Sequence, residues 1–578
     1  MNKQSFTILG GGTAGASAAN IIKTIFKNSE VNIIIDPNTP IIGVGEATVG
    51  NINAFLRLCN LFPEKVCLGD ARGTIKTTVH FKDWYQKDHS YFTPITQIMH
   101  EYSDIMNYSI SEKDAWMSNC GLRLALQNKS PFMKKEFVDK DVQLPRVWNE
   151  YAYNIDSELF GQKLLDDAVS KGANILNNKI TNIGINNDSS IKNVELDDST
   201  IINSDFFIDC SGFAKLIPNA LNLKYKKFPN MINNRAWATR IDYIDREKEL
   251  PYLSGVECQT MEAGWRWQIG LRDRIGTGYV FSNEYISEED ALQEFKNSFD
   301  KDRIQEENCQ LIKFETECLE EQSGKNWISV GLSSGFVEPL ESTSIYFMHN
   351  NLMTFLHLAI KDKMPVDQGN MLDNNQVWTG EWQGNLDRDD IDMSWTDQKI
   401  KLFNTYTKQN FIDTINYIQA HYAVSKLNHT NYWKYWKKHH KESLTWIEDG
   451  LSNKRHYSFF GRAASYMLAL GNRLGAITDW NLCTSYLTDS EINAGANFNN
   501  LSEEGTKELI RNRSAYDILW GTRRYLGTIT QRTLTADAFG RYAYNIIDQH
   551  KWLKDVDSID NINYTTDHDF SWLQAGLE

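Results

Sequence analysis

The chain opens on a short apolar run, Ser5–Leu9, broken at Gly10-Gly11-Gly12 and followed by a helix-like segment from Ala16 to about Phe26. A second apolar run, Val31–Ile35, ends in Asp36. This is the pattern of strand, tight turn, helix and strand. Further on, Thr74–Phe81 alternates imperfectly, as a strand does, and residues 112–132 predict a helix around Met117–Gln127. Residues 151–176 place apolar positions at roughly helical spacing and stop at a glycine. Short strands follow over 174–209, with a hairpin tip at 186–189 and a last strand ending in Phe206-Phe207-Ile208-Asp209. Over 233–283 the pattern predicts strands; Trp265 and Trp267 flank Arg266 and so share one strand face, with a turn at Asp273–Gly276. A strand near 327 runs into Gly331 and Ser333-Ser334-Gly335, and a helix begins near Glu341-Ser342-Thr343-Ser344. From about 385 the chain reads as mostly helical, with the basic run Lys434–Lys441 as a solvated helix face. The fold class is therefore α/β (α+β), with a late return to a nucleotide-binding domain that points to an inserted second region. The expected division is 1–385 for the core, with nucleotide-binding segments at about 5–50, 151–215 and 325–365, and 386–578 for a helical covering region.

The first turn carries chemistry. Gly10, Gly12 and Gly15 stand in G-x-G-x-x-G spacing between strand and helix. Gly10 makes the turn, Gly12 lets the backbone approach a pyrophosphate, and Gly15 allows close packing. The helix start offers free amide N–H groups to phosphates. Asp36 ends the second strand about 20 residues past the third glycine, where a carboxylate takes the ribose hydroxyls and disfavours a 2′-phosphate. The residues leave FAD and NAD open. Gly43-Val44-Gly45-Glu46-Ala47 is placed to lie over a bound cofactor, and Asp209, ahead of Cys210-Ser211-Gly212, can face a ribityl chain or phosphate. Lys76, read alone, is a half-exposed strand lysine. Glu341 to Ser344 crowds a carboxylate and three hydroxyls at a helix start, which reads either as a cap or as a place for a small anion.

Composition narrows the class. The chain has 578 residues, enough for two or three domains, and a net charge of -15 that argues against a nucleic-acid surface. Eight cysteines lack metal-site spacing and fit reduced thiols in a cytoplasmic protein. No signal peptide and no membrane-spanning run is visible in the sequence. The 17 Trp, 25 Tyr and 27 Phe suit a protein that handles a flat aromatic ligand. No His/Cys/Asp cluster marks a metal site, and His421 and His456 read as structural.

From residue 5 to about 480 the chain resembles the flavin-dependent halogenases of the tryptophan halogenase family. The resemblance rests on GGGTAGASAA, GVGEAT, FIDCSG, GWRWQIG with GTGYVFS, NYIQAHY and above all GLSSGFVEPLESTSIYF. It implies a Rossmann-like FAD-binding domain of the flavin monooxygenase type, with an inserted sheet region. FAD is then held by Gly10, Gly12, Thr13, Ala14, Gly15, Asp36, Gly45, Glu46, Ala47, Asp209, Gly212 and Leu332. Reduced FAD (FADH2) comes from a separate flavin reductase and reacts with O2, and halide held at Thr343 and Ser344 becomes hypohalous acid. Lys76 and Glu341 are the implied catalytic pair. Lys76 hydrogen-bonds the hypohalous acid or forms a haloamine. Glu341 stabilises the cationic ring intermediate or takes its proton. Trp265, Trp267 and Ile269 form the wall between flavin and substrate.

Four departures bear on specificity. Gly270 stands where the family has proline after its Trp-x-Trp-x-Ile. Pro94 and Thr96 replace an aromatic clamp, residues 453–466 do not match the segment that grips an amino acid, and Ser344 replaces a glycine at the halide turn. The expected substrate is a small electron-rich aromatic molecule, indole-like or phenol-like and not free tryptophan, with bromide or iodide used better than chloride. Neither a membrane nor a nucleic-acid partner is expected, and a homo-oligomer is left open. A flavin-dependent aromatic monooxygenase, the alternative, would share the glycine turn and Asp36 without needing Lys76 and Glu341; a non-enzymatic flavoprotein would keep FAD and lose turnover.

Overall fold

A computed structural model describes residues 4–39, 46–63, 65–88, 90–95, 129–133, 151–246, 249, 255–300, 302–360, 393–451, 468 and 546–548. The chain divides into two compact units, one made of 1–74, 152–242 and 271–415, the other of 75–151, 243–270 and 416–578.

The first unit is built on a six-stranded sheet. Its order is Ser323–Gly324, Trp327–Ser329, Phe206–Asp209, Ser5–Leu9, Glu30–Ile34, Asn174–Leu176. All neighbours are parallel except the first pair. A parallel sheet covered on both faces needs strands that are apolar throughout. Phe6, Ile8, Leu9, Phe207 and Ile208 accordingly have no exposure. On one face Leu9, Ile34, Phe207 and Trp327 pack with Ile191, Val194 and Leu196 of a hairpin whose tip lies where the sequence puts it. On the helical side, Thr13–Ile25 packs along Ser157–Ser170 and against Thr343–Ala359.

The helix expected over 151–176 is shorter than its pattern. Ala152–Ile155 is a strand of four buried residues, of which Asn154 and Ile155 pair antiparallel with Ala47 and Glu46, and the helix begins at Ser157. Asp156 caps it through Oδ1, which accepts the N–H groups of Glu158 (3.1 Å) and Leu159 (3.2 Å). The strand expected over 74–81 breaks at Thr77 into Thr74–Lys76 and Thr78–Lys82.

The second unit holds Val256–Met261 between Gly264–Gly270 and Thr78–Lys82, with Ser90–Pro94 beyond. Trp267, Cys258, Phe81 and Tyr91 lie in one row across these strands, so Trp265 and Trp267 do share a face. Helices Asp397–Val424 (the part from Asn416), Asn431–Trp436 and His440–Leu451 belong to this unit. His421 is buried there, stacked 4.5 Å from Phe81, with Nδ1 3.0 Å from the Tyr91 hydroxyl. His456 lies outside the described residues.

Two expectations need correction. The end of the helix expected over 112–132 is instead strand Lys129–Met133, paired with Ile546–Asp548; the rest of it lies outside the described residues. The basic run is not wholly solvated. Lys437 turns inward, where its Nζ donates to the carbonyls of Tyr422, Ala423 and Ser425 at the end of a helix. That is where a cation meets unpaired carbonyls and the negative end of the helix dipole, though burial pushes its ammonium down to about 8.

Candidate active site

The glycine turn is shaped for a phosphate. Gly10 has φ +107°, and a Cβ on it would lie 2.4 Å from the Cys210 carbonyl oxygen. A Cβ on Gly15 would sit 1.9 Å from the Gly10 carbonyl oxygen, so both positions exclude a side chain. Gly12 differs: a Cβ there meets nothing within 4 Å. It precedes a helix with no side-chain cap and no acid in its first turn. Open space over uncapped N–H groups, with Thr13 and Ala14 next in line, fits a pyrophosphate.

The neighbouring turns converge on the same helix start. A Cβ on Gly331 (φ +73°) would lie 3.0 Å from the Ala14 methyl, which puts the Gly331–Ser333 turn, with half-buried Leu332, against it. Gly212, at φ +64°, faces open space. Asp209 is turned inward. Its Oδ1 accepts Ser211 N–H and Oγ–H, and Oδ2 accepts Ile217 N–H at 2.7 Å. This carboxylate therefore builds the Ser211–Ile217 bend from within. Burial pushes its carboxyl up and the hydrogen bonds pull it back. Asp36 is half-buried and accepts Asn38 N–H at 2.9 Å through Oδ1. Gly45 lies outside the described residues. Glu46 and Ala47 pair with Ile155 and Asn154, and burial pushes the Glu46 carboxyl up to about 7.

The segment Glu338–Ser344 leads into the helix start that the sequence reads either as a cap or as a place for a small anion. Glu338 is fully buried and accepts a 2.6 Å hydrogen bond from Asn233 Nδ2. Ser342 N–H donates to the Pro339 carbonyl at 2.9 Å, and Ser342 itself sits in the left-handed region, φ 61° and ψ 43°. The helix Thr343–Ala359 then starts with no side-chain cap. The hydroxyl of Thr343, at 0% exposure, has no hydrogen-bond partner among the described residues. An unpaired buried hydroxyl costs about 1–3 kcal/mol, and it lies beside the N–H groups of an uncapped helix start. Glu341 is 5% exposed and Ser344 half-buried.

The second unit carries the other named residues. Lys76 closes the strand Thr74–Lys76 at 0% exposure, not half-exposed as its sequence suggests when read alone. Trp265 and Trp267 have ring centroids 6.1 Å apart, and Ile269 is buried beyond them. The Trp265 Nε1–H has no partner among the described residues. Arg266 points to the opposite face, where its Nη2 donates to Gln259 Oε1 (2.7 Å) and Glu257 Oε1 (3.3 Å). The described residues contain no group of His, Cys, Asp and Glu fit for a metal, and no described helix is long and apolar enough to cross a membrane.

Residues 5–377 match the family model described as tryptophan halogenase. The chain belongs to the tryptophan halogenase family. It is 29% identical over 369 residues to a 7-chloro-L-tryptophan 6-halogenase from Kutzneria sp. (strain 744), a match covering 59% of this chain and 70% of that one. It is 25% identical over 448 residues to a tryptophan 7-halogenase from Lentzea aerocolonigenes, covering 74% and 77%. Its fold matches that of a flavin-dependent halogenase from Xanthomonas campestris with a TM-score of 0.70 at 17% identity, over 96% of this chain and 98% of the other. The Rossmann-type, mixed α/β fold with helices late in the chain is the family's fold. The chain is a flavin-dependent halogenase, an oxidoreductase. Its cofactor is FAD, used as FADH2 from a separate flavin reductase, with O2 and halide as co-substrates.

Pattern reading named the glycine turn, the Thr343 turn and the tryptophan strand. It took Glu338 and Arg274 only as turn residues and passed over Asn233 and Arg272. The available signal was the carboxylate of Glu338 set between the apolar pairs Phe336-Val337 and Pro339-Leu340.

Proposed function

We propose that this halogenase places halogen on a small electron-rich arene, indole-like or phenol-like, with Lys76 and Glu341 as its catalytic residues and Thr343 and Ser344 as its halide turn. The observation that carries this reading is the buried, uncapped start of the Thr343 helix, with an orphaned hydroxyl and Glu341 two residues ahead. Backbone N–H groups and the Thr343 hydroxyl hold the halide, and the open face of Gly12 takes the FAD pyrophosphate. The Asp36 carboxylate keeps one oxygen for a ribose hydroxyl. When bound, reduced FAD would supply the two electrons that bring O2 to the peroxide level, the oxidant that turns halide into hypohalous acid, with the halide held at Thr343 and Ser344. The Lys76 ammonium hydrogen-bonds that small oxidant and polarises it toward the arene. Glu341 offsets the positive charge that develops on the ring and accepts the displaced proton. Trp265, Trp267 and Ile269 keep the arene from the flavin and so suppress oxygenation.

The curated relatives named above act on tryptophan or a chlorotryptophan by their names. Four features of this chain favour a different arene: Pro94, Thr96, Gly270 and the unmatched 453–466 stretch. Thr96 and 453–466 lie outside the described residues. Chloride holds its water more tightly than bromide or iodide, and a turn in which Ser344 displaces a halide contact, and which is not tightly preorganised, recovers less of that cost, so the larger halides are used better. The test supplies FAD, a flavin reductase, NADH, O2 and chloride, bromide and iodide at equal concentrations, with catalase, over an arene panel that includes tryptophan. Brominated or iodinated product on a non-tryptophan arene is expected. A kcat/KM for tryptophan above that of every other arene, or mainly chlorinated product, overturns the corresponding part. Hydroxylated product without halide dependence supports a monooxygenase instead.

A further inference from the structure

The turn Leu271–Arg274 carries two arginines that the site above does not use. Arg272 is 6% exposed; its Nη2 donates to the Leu68 carbonyl and its N–H to the Arg72 carbonyl at 3.2 Å. Arg274 Nη2 lies 2.6 Å from Asp156 Oδ2, an ion pair with little exposure on either side. The other oxygen of Asp156 caps the Ser157 helix, and its N–H donates to the Ala71 carbonyl at 3.1 Å. Asn154 Nδ2 donates to Thr74 Oγ1 at 3.2 Å. A Cβ on Gly73 would lie 2.2 Å from the Asn154 carbonyl oxygen, so the stretches touch backbone to backbone. Leu271 N–H to the Arg274 carbonyl, 2.9 Å, closes the turn.

Three stretches of the first unit, 67–74, 152–158 and 271–274, are thus fastened into one seam. Each ends where the chain leaves or enters that unit, at Thr74, Ala152 and Leu271. Lys76 follows Thr74 by two residues. Gly270, the last residue of the strand with Trp265, Trp267 and Ile269, directly precedes Leu271. A buried ion pair is weak evidence for stability, since apolar residues of the same volume do as well, but breaking one partner of it leaves a buried charge, so the pair holds together the stretches it joins. Geometry is what a residue delivering a small diffusible oxidant needs, because about 1 Å of misplacement costs on the order of 100-fold.

We propose that Asp156, Arg272 and Arg274 are positioning residues that fix where the lysine strand and the tryptophan strand leave the flavin-binding unit, and so set the share of hypohalous acid that reaches the arene. This rests on Lys76 as the residue that delivers the halogen. Asp156→Asn keeps the capping oxygen and the volume while removing the charge that faces Arg274. Arg274→Lys keeps the charge and replaces the planar guanidinium by a shorter, single-point head. Each variant is measured for halogenated arene per reduced flavin consumed, for free hypohalous acid trapped by a 1,3-diketone probe, and for FAD affinity. Hydrogen exchange of residues 74–82 and 264–270 is followed in flavin-free protein. With FAD affinity held within roughly twofold, product per flavin falls about tenfold and trapped oxidant rises to match. Exchange quickens in those two segments and not in Ser5–Ile25. An unchanged ratio and unchanged exchange in either folded variant overturns the proposal. So does loss of stability, FAD binding and product in step in both variants, which makes the seam a stability element only. A Lys76→Ala control separates the two readings. If it keeps the wild-type ratio, the role of Lys76 fails; if it loses product while Asp156→Asn does not, the seam alone fails.

Discussion

Asn233 Nδ2 donates a 2.6 Å hydrogen bond to Glu338 Oε2, a carboxylate without exposure three residues ahead of Glu341. Hydrogen bonds to buried charges are short and contribute about 1.5–3 kcal/mol. This one fixes the segment whose next turn, at Ser342, is left-handed. Asn233→Ala should lower stability by about 2 kcal/mol in denaturant titration and raise the KM for halide severalfold, with FAD affinity unchanged. A loss of stability with no change in halide KM would detach Glu338 from the halide turn.

Thr343→Val separates anion binding from folding. The hydroxyl has no partner among the described residues, so removing it takes nothing from the flavin-free fold. Stability without halide should stay level or rise by about 1 kcal/mol, while the halide KM rises roughly tenfold. A destabilised variant with normal halide KM would make the hydroxyl a structural group.

Gly10 and Gly12 should fail differently. Gly10→Ala puts a methyl 2.4 Å from a carbonyl oxygen at φ +107°, so the protein should be destabilised by several kcal/mol. Gly12→Ala meets nothing in the protein. It should keep the melting temperature of the flavin-free protein within a few degrees and weaken FAD binding at least about tenfold, because the methyl fills the pyrophosphate's place. Equal FAD affinity in Gly12→Ala and wild type would move the phosphate elsewhere.

Glu46 gives a pH signature. Burial raises its carboxyl from 4.5 to about 7. A raised acid favours the folded state most below its unfolded pKa, and that advantage is lost as pH rises through about 7. Relative to wild type, Glu46→Gln should therefore gain stability between pH 4.5 and about 7 and hold it above, by roughly 1–3 kcal/mol. Unfolding free energies of the two flavin-free proteins across that range check this; a constant difference would show that Glu46 titrates normally.

The parts legible in sequence were short-range. The glycine turn is set by spacings of two and three residues, and the tryptophan strand by alternation within seven. What pattern missed depends on partners far away. Ala152–Ile155 is a strand because Glu46–Ala47 pairs with it, and Lys437 turns inward because a helix ends beside it. Arg272 meets Leu68 across 204 positions, a contact that no local window contains. The depth of Lys76 has the same origin, since a strand lysine among threonines carries no sign of whether the sheet around it will close.

The most direct test of the account is product formed per reduced flavin in single turnover with bromide and an electron-rich arene, compared among wild type, Lys76→Ala and Glu341→Gln. Both variants should bind FAD and oxidise reduced flavin at close to the wild-type rate. Lys76→Ala should lose at least about 100-fold in brominated arene and Glu341→Gln at least about tenfold, the range of a positioned catalytic group. Brominated product from Lys76→Ala within about twofold of wild type would contradict it.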